Sequence, residues 1–121
     1  MKMLLSIPKL QKSLNVLLRS HWTSFQKEQD IFDLLVIKDY REKYKGKHFR
    51  GRKVKIVYTL YFKDKQRRDL SNYGQKMLDD SLVKEGILDD DNSKVILEEA
   101  VRIRYDKANP RTEILIEEVQ E

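Results

Sequence analysis

Cysteine is absent from this sequence of 121 residues, and histidine occurs only twice. The chain therefore cannot form disulfides or zinc sites with thiolate ligands, and His21 and His48 cannot make a zinc site by themselves. No apolar run approaches the length needed to cross a bilayer. The short apolar start lacks a cleavage pattern, so we expect no signal peptide and no membrane partner.

Glycine is also scarce, with four residues, and several glycine-dependent motifs are missing. The chain has no glycine-rich phosphate loop, no Gly-x-Ser-x-Gly element and no metalloprotease helix. A calcium loop counted from Asp89 fails as well, because Lys94 and Ala100 stand where an EF-hand needs glycine and glutamate. These absences exclude the commonest nucleotide-binding, serine hydrolase, zinc protease and EF-hand interpretations.

What is abundant is charge. Charged residues make up 37% of the chain and hydrophobic residues 40%, with a formal net charge of +5. This composition predicts one globular domain over residues 1–121, without the signature of disorder. A basic domain of this size is suited to polyanions such as nucleic acids.

Hydrophobic periodicity predicts an α+β fold with the element order β-α-β-α-β-β. We expect one mixed sheet with helices packed chiefly on one face. The expected elements are a strand at 2–7, a helix at about 22–44, an alternating strand at 54–62, a helix at about 72–84 closed by Gly86, and a hairpin of two strands around 101–105 and 114–116. Near the N-terminus, Val16, Leu17 and Trp22 are predicted to be core residues, and Thr23 resembles the start of a capping box.

Acidic residues gather in one stretch of this otherwise basic protein. Seven of them lie between Asp69 and Asp91, against two basic residues. Clustered carboxylates repel unless a positive group lies between them, and a hard divalent cation is one such group. The alternative is a solvated acidic surface made by a helix and a turn.

The spacing within this stretch brings particular side chains together. An apolar stripe on the helix at 72–84 leaves Lys76 and Asp80 on the opposite side. An extended segment at 69–71 would place Asp69 and Ser71 on the same side of the backbone. The acidic residues 89–91 follow Gly86 and can fold back, which predicts a carboxylate pair of Asp69 with Asp90 or Asp91, near Lys76.

Two groups of cations precede this stretch. Residues 41–53 hold seven basic residues, interleaved with Tyr44, His48 and Phe49. Such a loop is typical of a footprint on phosphate backbones, and the alternative is a basic loop that only aids solubility. The predicted strand at 54–62 then leads to Lys65, Arg67 and Arg68, which would hold phosphates beside a metal.

Five spaced elements in the acidic stretch resemble the RusA family of Holliday junction resolvases, small homodimeric endonucleases that cut four-way DNA junctions with magnesium. The family pattern is Asp-x-Asp-Asn, a lysine, Asp-Ala-Leu, Gly-[Val/Ile]-[Ile/Leu] and an Asp-Asp pair. This sequence has Asp69 to Asn72, Lys76, Asp80 to Leu82, Gly86 to Leu88, and Asp90 with Asp91.

The resemblance implies a role for each matching residue. Asp69 and Asp91, with Asp90 beside them, would bind Mg²⁺ or Mn²⁺, and Asp69, Lys76 and Asp91 would be catalytic. It further implies a RusA-like fold, a homodimer, branched DNA as the partner, and a cytoplasmic location with DNA. The residues expected on the DNA side are Asn15, Arg19, His21, Lys45, Lys47, Arg50, Arg52, Arg67 and Arg68.

One departure from the family pattern leaves the function open. Ser71 stands where the family has its second aspartate, and one extra residue separates Asn72 from Lys76. The alternative function is therefore a protein that binds junction or duplex DNA but cuts poorly or not at all. A structural or RNA-associated basic protein would keep the basic loops, but it has no use for Asp69, Lys76 and Asp91 together.

Overall fold

The computed structural model describes residues 1–19 and 21–120, apart from the side chain of Leu18. Its α+β architecture contains four strands and three α-helices. A short 3-10 turn, Leu70–Asn72, precedes the third helix. In chain order the elements are β1 (Lys2–Ile7), α1 (Leu14–Arg19), α2 (Trp22–Tyr44), β2 (Val54–Phe62), α3 (Lys76–Lys84), β3 (Ile96–Tyr105) and β4 (Arg111–Glu118).

The four strands form one mixed sheet in the order β1-β4-β2-β3. β4 runs antiparallel to both β1 and β2, whereas β3 runs parallel to β2. A parallel pair needs a crossover connection, and α3 supplies it between β2 and β3. The prediction of a single mixed sheet is therefore confirmed at this level.

The core lies between one face of the sheet and the helices α2 and α3. Phe32 and Val36 of α2, together with Leu78 and Leu82 of α3, are fully buried. They belong to one cluster with alternate residues of the strands, such as Ile56. Because side chains alternate across a strand, the opposite face of the sheet carries the partly exposed residues of β2.

A polar contact also joins the two long helices. Ser81 Oγ donates to Asp33 Oδ1 at 2.6 Å, and Lys84 Nζ lies 2.8 Å from Asp33 Oδ2. Burial would raise the pKa of Asp33, but hydrogen bonds from Lys84, Ser81 and Gln29 outweigh it and hold that pKa below its usual value. The paired carboxylate therefore stays ionised between α2 and α3.

The predicted hairpin of the last two strands is wrong. β3 and β4 do not pair, because β2 lies between them. Residues 106–110 cross the end of β2, where the backbone N–H of Asp106 donates to the carbonyl of Phe62 at 2.8 Å. β4 instead takes an interior place, with β1 on one side and β2 on the other. Its Ile114 and Ile116 are fully buried there, whereas Val101 and Ile103 of β3 are only half-buried at the edge.

The prediction of an N-terminal core around Trp22 is also wrong in part. Trp22 is 73% exposed and Val16 is 47% exposed, whereas Leu17 does pack against the core. They occupy the short helix α1 and the first turn of α2, and the buried residues of α2 begin only at Glu28. The cap of α2 is His21, whose side chain accepts from the backbone N–H of Thr23.

None of the helices among the described residues combines the length and the apolar character that crossing a bilayer requires.

Candidate functional site

The site is built on the contact between α3 and the centre of β2. Tyr58, in the middle of β2, is completely buried, and its hydroxyl donates to Oδ1 of Asp79 on α3. Asp79 is only 7% exposed. Aspartate is rarely buried without a partner, so this hydrogen bond fixes how α3 lies over the sheet.

Two further carboxylates act on Asp79. Glu99 lies on β3 beside Ile56 and faces the helix side of the sheet, and Asp91 lies in the segment between α3 and β3. Burial raises the pKa of Asp79 to about 8; a hydrogen bond with Glu99 and the charges of Glu99 and Asp91 act in the same direction, against the hydroxyl of Tyr58. Near neutral pH the group is therefore largely protonated.

Lys76, in the first turn of α3, links two carboxylates at the surface. Its Nζ lies 2.5 Å from Asp91 Oδ2 and 3.0 Å from Asp80 Oδ1. Hydrogen bonds to Asp91 and Asp80 raise the pKa of Lys76, and the hydrogen bond from Lys76 lowers the pKa of Asp91. The structure thus brings together two of the three predicted catalytic residues, and both are charged at neutral pH.

The third predicted catalytic residue, Asp69, is placed differently from the expectation. The segment after it is not extended: Leu70–Asn72 forms a 3-10 turn, closed by the backbone N–H of Asn72 donating to the carbonyl of Asp69 at 3.0 Å. Successive side chains in such a turn are about 120° apart, so Asp69 and Ser71 do not share one side of an extended backbone. Asp69 is exposed, and its side chain makes no cap hydrogen bond. The pairing of Asp69 with Asp90 or Asp91 stays a prediction.

The same turn changes the start of α3. The helix begins at Lys76 with Gln75 as its cap residue, so Ser71 and Asn72 do not cap it. Ser71 is exposed in the turn. Its hydroxyl is therefore available at the surface.

Within residues 1–19 and 21–120, no three or more histidine, aspartate or glutamate side chains form a group that could hold a metal ion. Asp90 is exposed and accepts from the backbone N–H of Asp91 at 2.7 Å. Magnesium, however, is usually held by one or two carboxylates together with substrate phosphates, and it keeps several of its waters. The neighbouring carboxylates of Asp90 and Asp91 fit that mode of binding, although they do not form a cage of protein ligands.

The predicted basic loop lies beside this acidic segment. Phe49 is fully buried and its N–H donates to the carbonyl of Ile87 at 2.8 Å, while the N–H of Gly51 donates to Asp89 Oδ2 at 2.6 Å. These bonds tie the loop to the segment that carries Asp91. The four cations predicted to contact DNA here are all exposed, namely Lys45, Lys47, Arg50 and Arg52. Arg52 differs from the others, because it is paired with Glu118.

The second group of cations follows the other end of β2. Arg67 is exposed, whereas Arg68 bonds Asp64 at 2.8 Å and its guanidinium stacks 3.9 Å from the ring centre of Phe62. Tyr58 is four residues from each end of β2, which is roughly 13 Å at 3.3 Å per residue. The two cation groups therefore flank the buried Tyr58–Asp79 contact from opposite ends.

The three N-terminal residues predicted to contact DNA lie around the start of α2. Asn15 and Arg19 are exposed on α1. His21 is exposed too, but its Nδ1 lies 3.1 Å from the hydroxyl of Thr23 as part of the cap. Capping is therefore a structural role for His21 that its sequence position did not indicate.

Sequence reasoning missed the buried members of the cluster. Asp79 was counted among the acidic residues but not placed in the interior, and Tyr58 and Glu99 were assigned no role. The alternation of β2 does place Tyr58 on the core side. A buried tyrosine hydroxyl needs a partner, which is the one signal that could have indicated an acid on the packed helix.

A scan against protein-family models and a search among curated proteins each found no match for this chain.

We predict that Asp79→Asn stabilises the protein at pH 8. The folded pKa of about 8 exceeds the ordinary 3.8, so the contribution of Asp79 is complete below about pH 4 and is lost as the pH rises towards 8. Asparagine stays neutral, so we expect Asp79→Asn to raise the free energy of unfolding by about 2 kcal/mol at pH 8. This is less than the whole pKa shift would give at about 1.4 kcal/mol per unit, because the site can relax.

Urea unfolding at pH 4 and pH 8, with a chelator present, measures this difference. Asp80→Asn is the control, because Asp80 is a half-exposed carboxylate on the same helix. An Asp79→Asn gain that is equal at both pH values, or a loss at pH 8, would contradict the assignment of Asp79 as a buried neutral acid.

Proposed function

We propose that this protein is a magnesium-dependent endodeoxyribonuclease that resolves four-way or other branched DNA junctions by paired cuts. The observation that carries the proposal is the contact of Lys76 with Asp91 at 2.5 Å. The resemblance to the RusA family assigns catalytic roles to both residues, which are separated by 15 positions in the chain. Their direct contact supports a common site.

Each residue of this site would have a defined task. Asp91, with Asp90 and Asp69, would hold Mg²⁺, which supplies an activated water and neutralises charge on the scissile phosphate when bound. Lys76 would stabilise the charge that develops on the phosphate or on the leaving oxygen. The side chain of Lys76 is 73% exposed, so a phosphate can approach it from solvent.

The flanking cations would bind the DNA backbone. The loop with Lys47 and Arg50 precedes β2, and Arg67 follows it, so a duplex arm laid along this direction would meet cations on both sides of the acidic site. Contacts of this kind supply affinity without sequence choice. A four-way junction needs two related cuts, and a twofold dimer provides two sites in that relation.

One observation favours the second candidate, a protein that grips branched DNA but cuts poorly. Lys76 already neutralises Asp91 and Asp80, and Ser71 offers a hydroxyl where the family pattern has a carboxylate. Hard cations prefer charged oxygen, so the described residues would bind magnesium weakly without help from the phosphate.

The DNA-binding half of the proposal is tested by Lys47→Ala combined with Arg50→Ala. Each lost phosphate contact lowers the slope of log affinity against log salt by about 0.9, so we expect the slope to fall by about 2 and the affinity for every DNA to weaken. The control is Lys38→Ala with Lys107→Ala, an equal loss of charge at exposed positions outside residues 41–53. A salt slope unchanged by the loop variant would remove this loop from the DNA interface.

The cleavage half is tested by Asp91→Asn on a labelled four-way junction, with and without magnesium. We expect cutting to fall at least a hundredfold while junction binding persists or tightens, because one repulsive charge near the phosphate is lost. Asp106→Asn is a matched control, since Asp106 is a surface carboxylate paired with Arg111. Equal losses of binding and cutting would argue against Asp91 as a metal ligand.

Ser71→Asp separates the two candidate functions. Two unit charges 4 Å apart interact by about 4 kcal/mol at an effective dielectric near 20, and desolvation removes much of this. A remainder of about 1.4 kcal/mol is tenfold in metal affinity. We therefore expect Ser71→Asp to lower the magnesium concentration for half-maximal cutting about tenfold, or to create cutting.

A magnesium titration at equal junction occupancy provides the measurement. Gln120→Glu controls for the added negative charge, because it adds one carboxylate outside the acidic stretch, near Lys53 at the start of β2. If Ser71→Asp leaves the half-maximal concentration unchanged or raises it, the argument from a missing ligand is refuted.

A further inference from the structure

The two edges of the sheet are treated differently. On the β1 edge, two outward backbone N–H groups are satisfied by side chains of α2: Leu4 donates to Tyr44 Oη at 3.0 Å and Ser6 donates to Asp39 Oδ2 at 2.7 Å. The helix therefore covers this edge, which is one of the ways in which proteins prevent strand addition.

The β3 edge has no such cover among the described residues. β3 has β2 on one side, and no described strand lies on its other side. The 3-10 turn Leu70–Asn72 contacts β3, but the N–H groups of Asn72 and Tyr73 bond within that turn. With ten residues, β3 is also the longest strand of the sheet. It is thus a long edge strand. One of its backbone carbonyls, that of Ile103, accepts from Arg104 Nη1 at 2.9 Å, and no contact with another strand or with α2 caps the rest of this edge among the described residues.

The side chains of β3 are arranged with opposite charges at its two ends. Glu98 and Glu99 come in the first half, and Arg102 and Arg104 come in the second half. Two copies of such a strand in parallel would place like charges side by side. Two antiparallel copies place acids opposite arginines, an arrangement that stabilises a cross-strand pair.

We propose that a second copy of this chain pairs with the β3 edge, antiparallel about a twofold axis, to form a continuous sheet of eight strands. Residues directly opposite each other in such a pair lie on the same face of the sheet. The allowed registers are therefore those in which even-numbered residues of one copy lie opposite even-numbered residues of the other. Centring the axis on Ala100 places Glu98 opposite Arg102, and centring it on Val101 places Glu98 opposite Arg104. Both registers form each ion pair twice.

The exposed apolar residues on β3 also favour a second copy of this chain as the partner. On the helix side of the sheet, Val101 and Ile103 are only half-buried and Tyr105 is 46% exposed, whereas Tyr58 and Leu60 of the neighbouring strand are buried. Among the described residues, the 3-10 turn Leu70–Asn72 contacts β3 but still leaves these side chains partly exposed. A partner strand would bring its own Val101 and Ile103 against this row.

This interface also sets the relation between the two candidate sites, and in that respect it rests on the proposed function. A twofold axis perpendicular to the sheet puts the helices of both copies on one face. Tyr58 is paired with Val101, so it lies level with the axis. The two Tyr58–Asp79 contacts would be three strand spacings apart, roughly 14 Å across the sheet. Both sites would thus face the same DNA.

A charge-exchange experiment tests the interface. In Glu98→Lys alone, lysine would oppose arginine, and in Arg102→Glu with Arg104→Glu, acid would oppose acid. We expect each variant alone to show a dimer dissociation constant raised at least tenfold, because both symmetric pairs become repulsive. An equimolar mixture restores opposite charges in every pair, so we expect a heterodimer about as tight as the unaltered dimer.

Sedimentation equilibrium of each variant and of the mixture gives the dissociation constants, and circular dichroism checks that the variants are folded. Lys94→Glu with Lys107→Glu is the matched control for the double arginine variant, since it makes the same change of charge just outside the ends of β3. Hydrogen exchange of β3 amides in the unaltered protein adds a second readout, with protection expected to rise with protein concentration.

The outcomes separate this inference from the proposed activity. An unaltered protein that is monomeric at working concentrations overturns the β3 interface, and so does a dimer that neither variant weakens. A mixture that fails to re-form a dimer also overturns it. A dimer that responds as expected but never cuts or binds junctions leaves the interface standing and refutes the proposed function instead.

Discussion

The hydrogen bond between Tyr58 and Asp79 is the constraint on which the arrangement of this protein depends. A tyrosine hydroxyl in a fully buried position needs a partner, and a buried carboxylate is costly unless it is neutral or paired. The hydrogen bond gives each of the two groups its partner, and it fixes α3 over the junction of β2 and β3. Lys76 lies one helical turn before Asp79, and Asp80 follows Asp79 directly. The orientation of both side chains therefore follows from that placement.

The electrostatic character of the candidate site follows from the same packing. Asp79 is pressed towards Glu99 and Asp91, and burial with these neighbours raises its pKa to about 8. At the surface, by contrast, Asp91 has its pKa lowered by Lys76. The neutral acid, Asp79, thus lies on the buried side of α3, and the charged pair of Lys76 and Asp91 lies at the surface. Acids with pKa values shifted in opposite directions are common at catalytic sites, which is why this cluster supports the proposed function.

The topology explains why one edge of the sheet is left open. β4, with Ile114 and Ile116 fully buried, takes the interior place next to β2, so the chain must pass β2 to reach it. β3 is left at the edge, with charges on both faces. The opposite edge lies under α2, whose Asp39 and Tyr44 satisfy β1. Among the described residues, the edge that no helix side chain caps in this way is that of β3, next to α3 and the acidic cluster.

The sequence by itself determined the elements with strong periodicity. The strands at Lys2–Ile7 and Val54–Phe62 and the long helix Trp22–Tyr44 follow from local patterns that burial on one face imposes. The acidic stretch, the stop at Gly86 and the approach of Lys76 to Asp91 were likewise accessible, because they depend on short-range spacing. Tertiary structure alone decided the pairing of β3 and β4, the exposure of Trp22 and the burial of Asp79. These depend on competition among strands and helices for one core, and that competition is set by contacts between residues far apart in the chain.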